Sequence, residues 1–188
     1  MDAGLHDAIV AESAQGENNP FSVISLEKVR LLAGERGLAP LEVEVAALEA
    51  GVVPERYQRN IGTVGIEGQL KLLRSRVGVC GLGGLGGYVA EELARFGVGS
   101  LVLVDGDVFE ENNLNRQLLC RESDLGMPKA EVAAERVRAV NSSLAVTAYR
   151  RFVRLEDILE VFSSVDVVVD ALDNVTARIG RASCRERV

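Results

Sequence analysis

The chain has 188 residues, of which 47% are hydrophobic and 26% charged, and its formal net charge at pH 7 is −7. This length allows one buried core with a small additional segment. The negative charge argues against a general nucleic-acid binder, because such proteins neutralise phosphates with a basic surface. No apolar run approaches the roughly 20 residues of a membrane helix, and the first residues lack the pattern of a secretion signal. We therefore expect a cytoplasmic protein with no nucleic-acid or membrane partner.

The cysteine and histidine content restricts the chemistry that the chain can perform. The cysteines Cys80, Cys120 and Cys184 form no CxxC pair, so they indicate neither a zinc site nor a disulfide framework. The single histidine, His6, lies in a polar segment, which argues against catalysis by a serine–histidine or cysteine–histidine pair. Any reaction must therefore depend on aspartate, arginine and lysine side chains.

The amino-terminal part is predicted to contain a leader and a small helical appendage. Residues 1–24 are polar and aperiodic, which predicts a flexible leader. Two helices should follow, one that is capped by Ser25 and runs to about Ala33 and one that begins at Pro40 and ends near Gly51. A DNA-binding helix-turn-helix is disfavoured because the second helix is acidic. We interpret residues 25–55 as a packing appendage.

From about residue 74 the pattern changes to alternating strands and helices, which indicates an α/β fold with a mostly parallel sheet and helices on both faces. The periodicity predicts strands over 77–80, 101–104, 144–153 and 165–169, and helices over 85–96 and 128–140. The valine-rich last strand should be buried.

The final residues do not continue this pattern. Residues 181–188 show no periodicity, and we expect them to be a non-native tail of adapter or out-of-frame sequence. The nucleotide-binding domain would then be a partial one over residues 56–180, truncated at its carboxyl end, and Cys184 would have no function.

A glycine-rich turn follows the first predicted strand. Gly81, Gly83, Gly84 and Gly86 lie between this strand and the next helix, the context in which such a turn binds phosphate. Glycines let the backbone approach a phosphate, and the helix amides attract its charge. Asp105 ends the next strand, where a carboxylate accepts hydrogen bonds from ribose hydroxyls. These features predict an adenosine nucleotide without specifying which one.

Four further segments resemble motifs of the ThiF, MoeB and HesA family, which is related to the ubiquitin-activating enzymes and has a Rossmann-like fold. Residues 105–117 are similar to its DxDxVxxxNLNRQ segment, residues 126–130 to GxxKA and residues 170–174 to DxxDN. Residues 56–60 resemble RYxRQ, with asparagine in place of the last glutamine. Order and spacing agree with the family over roughly residues 55–178, which makes the resemblance more specific than the glycine turn.

The resemblance implies that Lys129 and Arg116 contact the phosphates of ATP, with Asn113 nearby. Lys129 is expected in the first turn of a helix, where the helix dipole opposes a cation unless an anion is shared. A guanidinium suits phosphate oxygens geometrically. The alternatives are a solvated surface lysine at this position and an ion pair of Arg116 with Glu110 or Glu111.

The remaining site residues follow from the same resemblance. Asp173 is the implied Mg²⁺ ligand, with helix capping as the alternative, and Asn174 is implied in nucleotide binding. Asp170 is expected to shape the loop, and Asp107 is a weaker candidate for the nucleotide site. In dimeric relatives the arginine that corresponds to Arg59 reaches the partner's ATP, which implies a homodimer for the full-length protein; a surface arginine is the alternative.

The implied activity is ATP-dependent adenylation of the carboxylate at the Gly-Gly end of a small ubiquitin-like sulfur-carrier protein. This reaction serves sulfur transfer for thiamin, molybdopterin or a related cofactor, with catalysis by Arg59, Arg116, Lys129 and Asp173. A carboxylate is already nucleophilic, so no general base is required. The family's nucleophilic cysteine and its zinc-binding CxxC pairs, where present, lie farther along than this chain extends.

Three other functions are compatible with parts of the pattern. The glycine turn and Asp105 would also serve an NAD- or FAD-dependent oxidoreductase, but that function leaves Arg116, Lys129 and Asp173 unexplained. A non-catalytic subunit of an activating enzyme would lack several of these charges. A tRNA-modifying relative that adenylates a nucleoside carboxylate is only mildly disfavoured by the acidic composition.

Overall fold

The computed structural model describes residues 3–15, 20–153 and 157–173, in two compact units, Met1–Arg74 and Ser75–Val188. The predicted non-native tail over 181–188, which includes Cys184, lies outside the described residues, as does Asn174. No helix in the described ranges is long and apolar enough to span a membrane. The division between the units falls after the predicted end of the appendage at residue 55.

The first unit combines short strands with four helices among its described residues. β1 pairs antiparallel with β2, and β2 pairs parallel with β3. The helix α4 is interrupted at Gly65, whose positive φ of 69° breaks the helical backbone. The elements are α1 (Ala3–Glu12), β1 (Ala14–Gln15), β2 (Ser22–Ile24), α2 (Leu26–Arg36), α3 (Pro40–Glu49), β3 (Val53–Pro54) and α4 (Gln58–Arg74).

The two predicted helices of the appendage are confirmed, together with their caps. The Ser25 hydroxyl accepts a hydrogen bond from the Lys28 amide, and α3 begins at Pro40. The helix α2 continues beyond its predicted end, because the left-handed backbone that terminates it occurs at Gly37. Gly51 follows α3 with a φ of 76°.

The prediction of a flexible, aperiodic leader is wrong for Ala3–Glu12, which forms α1. Leu5 and Ile9 are four residues apart and therefore lie on one face of this helix. Both are buried in one core with residues of α2 and α3, such as Val29 and Val43. Packing against this core stabilises α1. Two buried apolar residues are too few to produce a clear helical periodicity in the sequence, so the helix was not predicted.

The second unit contains a parallel sheet in the order β6-β5-β4-β7. Short 3₁₀ turns over Glu111–Asn113 and Glu122–Asp124 lie between β5 and α6. The helices and strands are β4 (Arg76–Cys80), α5 (Gly86–Phe96), β5 (Ser100–Val104), α6 (Lys129–Val140), β6 (Ala145–Tyr149), α7 (Ile158–Phe162) and β7 (Val167–Asp170).

Helices cover both faces of this sheet, as predicted for the α/β class. Val102 and Val104 form one core with Phe162 of α7. Because side chains alternate along a strand, Leu101 and Leu103 point to the opposite face, where α5 and α6 pack against the sheet and both leucines are fully buried.

Two strands differ from their predictions. The third strand ends at Tyr149 rather than at residue 153. The last strand, β7, is not buried, since its residues are partly or largely accessible and Val167 is 55% exposed. The reason is its place at the edge of the described sheet, where one side has no neighbouring strand.

Candidate nucleotide-binding site

The glycine turn between β4 and α5 has a conformation that only glycine can supply. Gly81 has a φ of 87°, and its amide donates to the Val104 carbonyl at 2.9 Å. A Cβ at Gly86 would lie 1.7 Å from the Gly81 carbonyl oxygen, so no side chain fits there. Gly86, the first residue of α5, therefore lies against the Gly81 backbone, an approach that only glycine allows.

Three strands end together beside this turn. Cys80 of β4 is in register with Val104 of β5 and with Asp170 of β7, and all three strands are parallel. From β4 the chain continues to β5 and β6, which lie on one side of β4, and it then returns to β7 on the other side of β4. This reversal of strand order creates the crevice in which open α/β sheets bind ligands.

Asp105 lies at the carboxyl end of β5 and contacts the glycine turn directly. Its Oδ2 accepts from the Leu82 amide at 2.7 Å, and its Oδ1 accepts from the Asp107 amide at 2.8 Å. A carboxylate has about four acceptor positions, so capacity remains for the ribose hydroxyls that the sequence predicted. Asp105 also has a role that the sequence did not predict, because it holds the turn to the end of β5.

Lys129 begins α6 with only 7% of the residue exposed, so the surface-lysine alternative is wrong. Its Nζ lies 3.5 Å from Asp107 Oδ2 and 5.9 Å from the centroid of the Phe109 ring. An isolated β-bridge between Val108 and Pro128 brings the two segments together. The anion that is expected beside this lysine is Asp107 in the structure.

The segment that contains Arg116 lies against the glycine turn. A Cβ at Gly84 would be 3.8 Å from the Arg116 carbonyl oxygen. The Arg116 side chain is exposed, and its Nη1 donates to the Asn112 carbonyl at 2.7 Å and to Asn115 Oδ1 at 3.1 Å. It has no ion pair with the neighbouring glutamates among the described residues, so this alternative is not observed.

Asn113 is buried and stabilises the 3₁₀ turn before Arg116. Its Oδ1 accepts from the Glu110 amide at 3.0 Å, and its Nδ2 donates to Asn112 Oδ1. The side chain therefore fixes the path of the backbone toward the glycine turn. Its predicted place near the phosphates stays a prediction.

Gln117 also lies at the candidate site, although the sequence analysis gave it no role beyond its place at the end of the 105–117 motif. The residue is 7% exposed and its Oε1 is buried without a hydrogen-bond partner in the described part of the chain. A Cβ at Gly83 would lie 3.7 Å from its Nε2. An unsatisfied buried polar group costs about 1–3 kcal/mol. The position of this glutamine within the motif was the only signal that could have identified it.

Asp170 shapes the loop after β7, as predicted, because its Oδ1 accepts from the Leu172 amide at 3.1 Å. Asp173 is exposed three residues beyond the end of β7, at the same edge of the sheet as the glycine turn. No cluster of three or more potential metal-ligating side chains is present among the described residues. Asp173 can therefore offer a single carboxylate to a metal ion.

Arg59 lies on α4 in the first unit and is exposed. Within the described ranges, its side chain makes no hydrogen bond or ion pair. Its predicted role across a dimer interface stays a prediction.

The two described cysteines are buried and unpaired with each other. Burial raises the pKa of the Cys120 thiol, the carboxylate of Asp124 raises it further, and Lys129 opposes both effects. A thiol that stays protonated is a poor nucleophile. Cys120 is therefore poorly suited to nucleophilic catalysis.

A glycine turn at the switch point of a parallel sheet, a carboxylate at the next strand end and a buried lysine define a nucleotide-binding protein with a Rossmann-like fold. The chain belongs to the ThiF family, whose family model matches residues 57–181. It is 48% identical over 126 residues to the SAMP-activating enzyme E1 of Haloferax volcanii, an alignment that covers 66% of this chain and 47% of that protein.

Other relatives extend the comparison. The adenylyltransferase and sulfurtransferase MOCS3 of Arabidopsis thaliana is 40% identical over 98% of this chain and 37% of its own length. The chain thus spans less than half of the length of these two relatives. A solved structure of E. coli tRNA N6-threonylcarbamoyladenosine dehydratase, TcdA, in complex with ATP has a TM-score of 0.67 at 33% identity, over 70% of this chain and 55% of that one.

Proposed function

We propose that the protein uses ATP to adenylate the carboxylate at the Gly-Gly end of a small ubiquitin-like sulfur-carrier protein. The observation that carries this proposal is the buried Lys129, held at the start of α6 by the segment that begins at Asp105. A dinucleotide-binding oxidoreductase leaves this buried cation unexplained. The relatives from Haloferax and Arabidopsis are named as an activating enzyme E1 and as an adenylyltransferase and sulfurtransferase, which supports an adenylating reaction linked to sulfur transfer.

In this proposal, separate elements bind separate parts of the nucleotide. The backbone amides at the start of α5 face the phosphates, which the glycine turn allows to approach closely. Asp105 accepts from the ribose hydroxyls. Lys129 exchanges its contact with Asp107 for a contact with a phosphate oxygen. Arg116 turns from Asn112 to the phosphates. It can do so because its guanidinium is exposed and is bound only to neutral groups.

The chemical step requires positioning and neutralisation of charge. A carboxylate oxygen of the carrier attacks the α-phosphorus, the bond from this phosphorus to the bridging oxygen of pyrophosphate breaks, and an acyl-adenylate forms. No proton moves in this step, so the absence of histidine from the described site is no obstacle. Lys129 and Arg116 stabilise the negative charge that develops on the phosphate oxygens.

Asp173 fits a role in binding Mg²⁺. This ion is held in many nucleotide enzymes by one or two carboxylates together with the substrate phosphates, so a single aspartate at the carboxyl edge of the sheet is a suitable donor. When bound, Mg²⁺ would neutralise part of the triphosphate charge. We propose that Asn174 also takes part in nucleotide binding.

The partners follow from the same proposal. The activated carrier would receive sulfur in a later step for thiamin, molybdopterin or a related cofactor, and the protein would act in the cytoplasm as a homodimer to which Arg59 contributes across the interface. No nucleic acid would be required.

Isothermal titration with ATP and with NAD separates adenylation from oxidoreductase chemistry. We expect ATP with Mg²⁺ to bind more tightly than NAD, because two cations serve a triphosphate better than a dinucleotide. Tight NAD binding without measurable ATP binding would instead support the oxidoreductase.

A further inference from the structure

Gln117 is placed against the glycine turn by a rigid segment of backbone. Its amide donates to the Asn113 carbonyl, and its carbonyl accepts from the Cys120 amide, both at 2.9 Å. The carboxamide lies over Gly83, where a Cβ would be 3.7 Å from Nε2 and 3.9 Å from Cδ. These two hydrogen bonds fix the backbone of Gln117, and they thereby position its side chain beside the turn.

The carboxamide of Gln117 is not used in folding. It makes no side-chain hydrogen bond to another described residue, and its Oε1 is buried. An apolar side chain of similar shape would fill the same space without the cost of a buried unpaired oxygen. A carboxamide that the fold does not use occurs at functional sites, where a ligand rather than the protein bonds to one of its two ends.

We propose that Gln117 is a further nucleotide-binding residue, whose Nε2 donates a hydrogen bond to a phosphate oxygen at the glycine turn. The inference rests on the nucleotide site of the proposed function. Phosphate oxygens are acceptors only, so the amino end of the carboxamide, which faces Gly83, is the end that can bind them. The contact adds a donor without charge beside the cations Lys129 and Arg116.

The substitution Gln117→Met keeps the size of the side chain and removes both polar groups. We expect ATP to bind about ten- to a hundredfold more weakly, as for the loss of a hydrogen bond to a charged group. Adenosine, which has no phosphate, should bind within about twofold of its affinity for the wild type. The melting temperature should not fall, because a buried unpaired oxygen is removed.

Gln69→Met is the matched control, since Gln69 is also fully buried but accepts a hydrogen bond from Asn60 Nδ2 at 2.9 Å. Its loss should lower the melting temperature and leave ATP affinity unchanged. Isothermal titration of each variant with ATP and adenosine, together with thermal unfolding, measures both effects.

Unchanged ATP affinity in Gln117→Met would overturn the inference, and equal weakening of ATP and adenosine would show that Gln117 shapes the turn rather than binding phosphate. If this variant does not fold, Gln117→Asn provides the same test, because the shorter amide cannot reach the same oxygen. If the wild type binds ATP and Gln117→Met binds it equally well, only this inference is refuted. A wild type that does not bind ATP refutes the proposed function and the inference together.

Discussion

At the scale of single residues, the cation at the start of α6 is the feature on which the site depends. Lys129 is one of three lysines in the chain. Its partner Asp107 has a side chain that is 56% exposed, whereas that of the lysine is 8% exposed. The carboxylate can therefore be rehydrated when the lysine turns to a phosphate, so that the exchange of partners costs little.

Replacement of this cation should abolish adenylation while the fold is retained. We expect Lys129→Met to lower the rate of ATP–pyrophosphate exchange at least about a hundredfold, as for other electrostatic contacts to a developing charge. Methionine fills the same buried space, and the exposed Asp107 is solvated by water, so thermal unfolding should change little.

Lys28→Met is the control for this experiment. Lys28 forms an ion pair with Glu12 in the first unit at 2.7 Å, and both side chains are substantially exposed. This substitution should leave the exchange rate unchanged. An equal loss of exchange in both lysine variants would contradict the assignment of Lys129.

The sequence predicted the elements on which the candidate site residues lie better than it predicted their surroundings. The residues Gly81, Gly86 and Asp105 lie at the carboxyl edge of the sheet. The sequence implied this, because these residues follow the ends of two predicted parallel strands. The burial of Lys129 could not be predicted, because it depends on the bridge between Val108 and Pro128, two segments that are separated in the chain. Local patterns report spacing along the chain and not which distant segment covers a side chain.

At the scale of the elements, the glycine turn and the start of α5 form one unit of structure. We expect Gly86→Ala to destabilise the protein by about 3 kcal/mol or more and to abolish ATP binding, because its Cβ would overlap the Gly81 carbonyl oxygen. Urea unfolding and titration with ATP would measure the two effects.

Gly34→Ala is the matched glycine control. Gly34 lies in α2, and a Cβ there would meet nothing within 4 Å. Alanine should raise the free energy of unfolding by about 0.5–1 kcal/mol, because it restricts the unfolded chain and favours the helix. Retention of ATP binding by Gly86→Ala would show that the turn does not have the described conformation.

Helices α5 and α6 are joined by an ion cluster around Glu91, which is buried. Its carboxylate accepts from Arg136 Nε and Nη2 at 2.8 Å and from Arg95 Nη2 at 2.6 Å. Hydrogen bonds from Arg136 are the main cause that lowers the pKa of Glu91, and those from Arg95 add to it, while burial acts in the opposite direction. The cluster thereby fixes α6, which begins with Lys129, against α5.

This cluster gives stability a defined dependence on pH. The pKa of Glu91 is lower in the folded protein than in the unfolded chain, so the contribution is complete above the unfolded pKa and is lost as pH falls through the folded pKa. We expect Glu91→Gln to cost about 2 kcal/mol at pH 7 and progressively less below about pH 4. Urea unfolding at several pH values measures this, and a cost that does not change with pH would contradict it.

The elements of the second unit were predicted more accurately than those of the first. Alternating apolar strands and a glycine turn are strong local signals, and all four predicted strands are found, although the third is shorter than predicted. The exposure of β7 and the formation of α1 were missed because both depend on neighbours. An edge position leaves Val167 accessible, and a shared core buries Leu5 and Ile9.

At the scale of the whole molecule, the proposed homodimer makes a prediction about Arg59 and Asp173. If Arg59 acts across the interface, Arg59→Ala and Asp173→Ala should each be inactive alone. Mixed dimers should then regain activity, because one of their two sites combines an intact Asp173 with an intact Arg59. Random assortment would restore about a quarter of the wild-type exchange rate, since half of the dimers are mixed and each has one intact site.

The two variants must be refolded together, and the formation of mixed dimers must be verified with tags on each chain. If Arg59 serves its own chain, every site in every dimer carries one of the two substitutions. Activity no higher than that of either variant alone would then show that Arg59 does not act across the interface.

Carrier-dependent ATP–pyrophosphate exchange tests the central proposal most directly, because it detects reversible adenylate formation without any later sulfur transfer. Labelled pyrophosphate would be incubated with the protein, ATP, Mg²⁺ and one of a panel of ubiquitin-like carriers, each compared with a version that lacks its Gly-Gly end. We predict incorporation of label into ATP only with an intact Gly-Gly carrier. No exchange with any carrier, or exchange that responds to tRNA and not to carriers, would contradict the proposed activity.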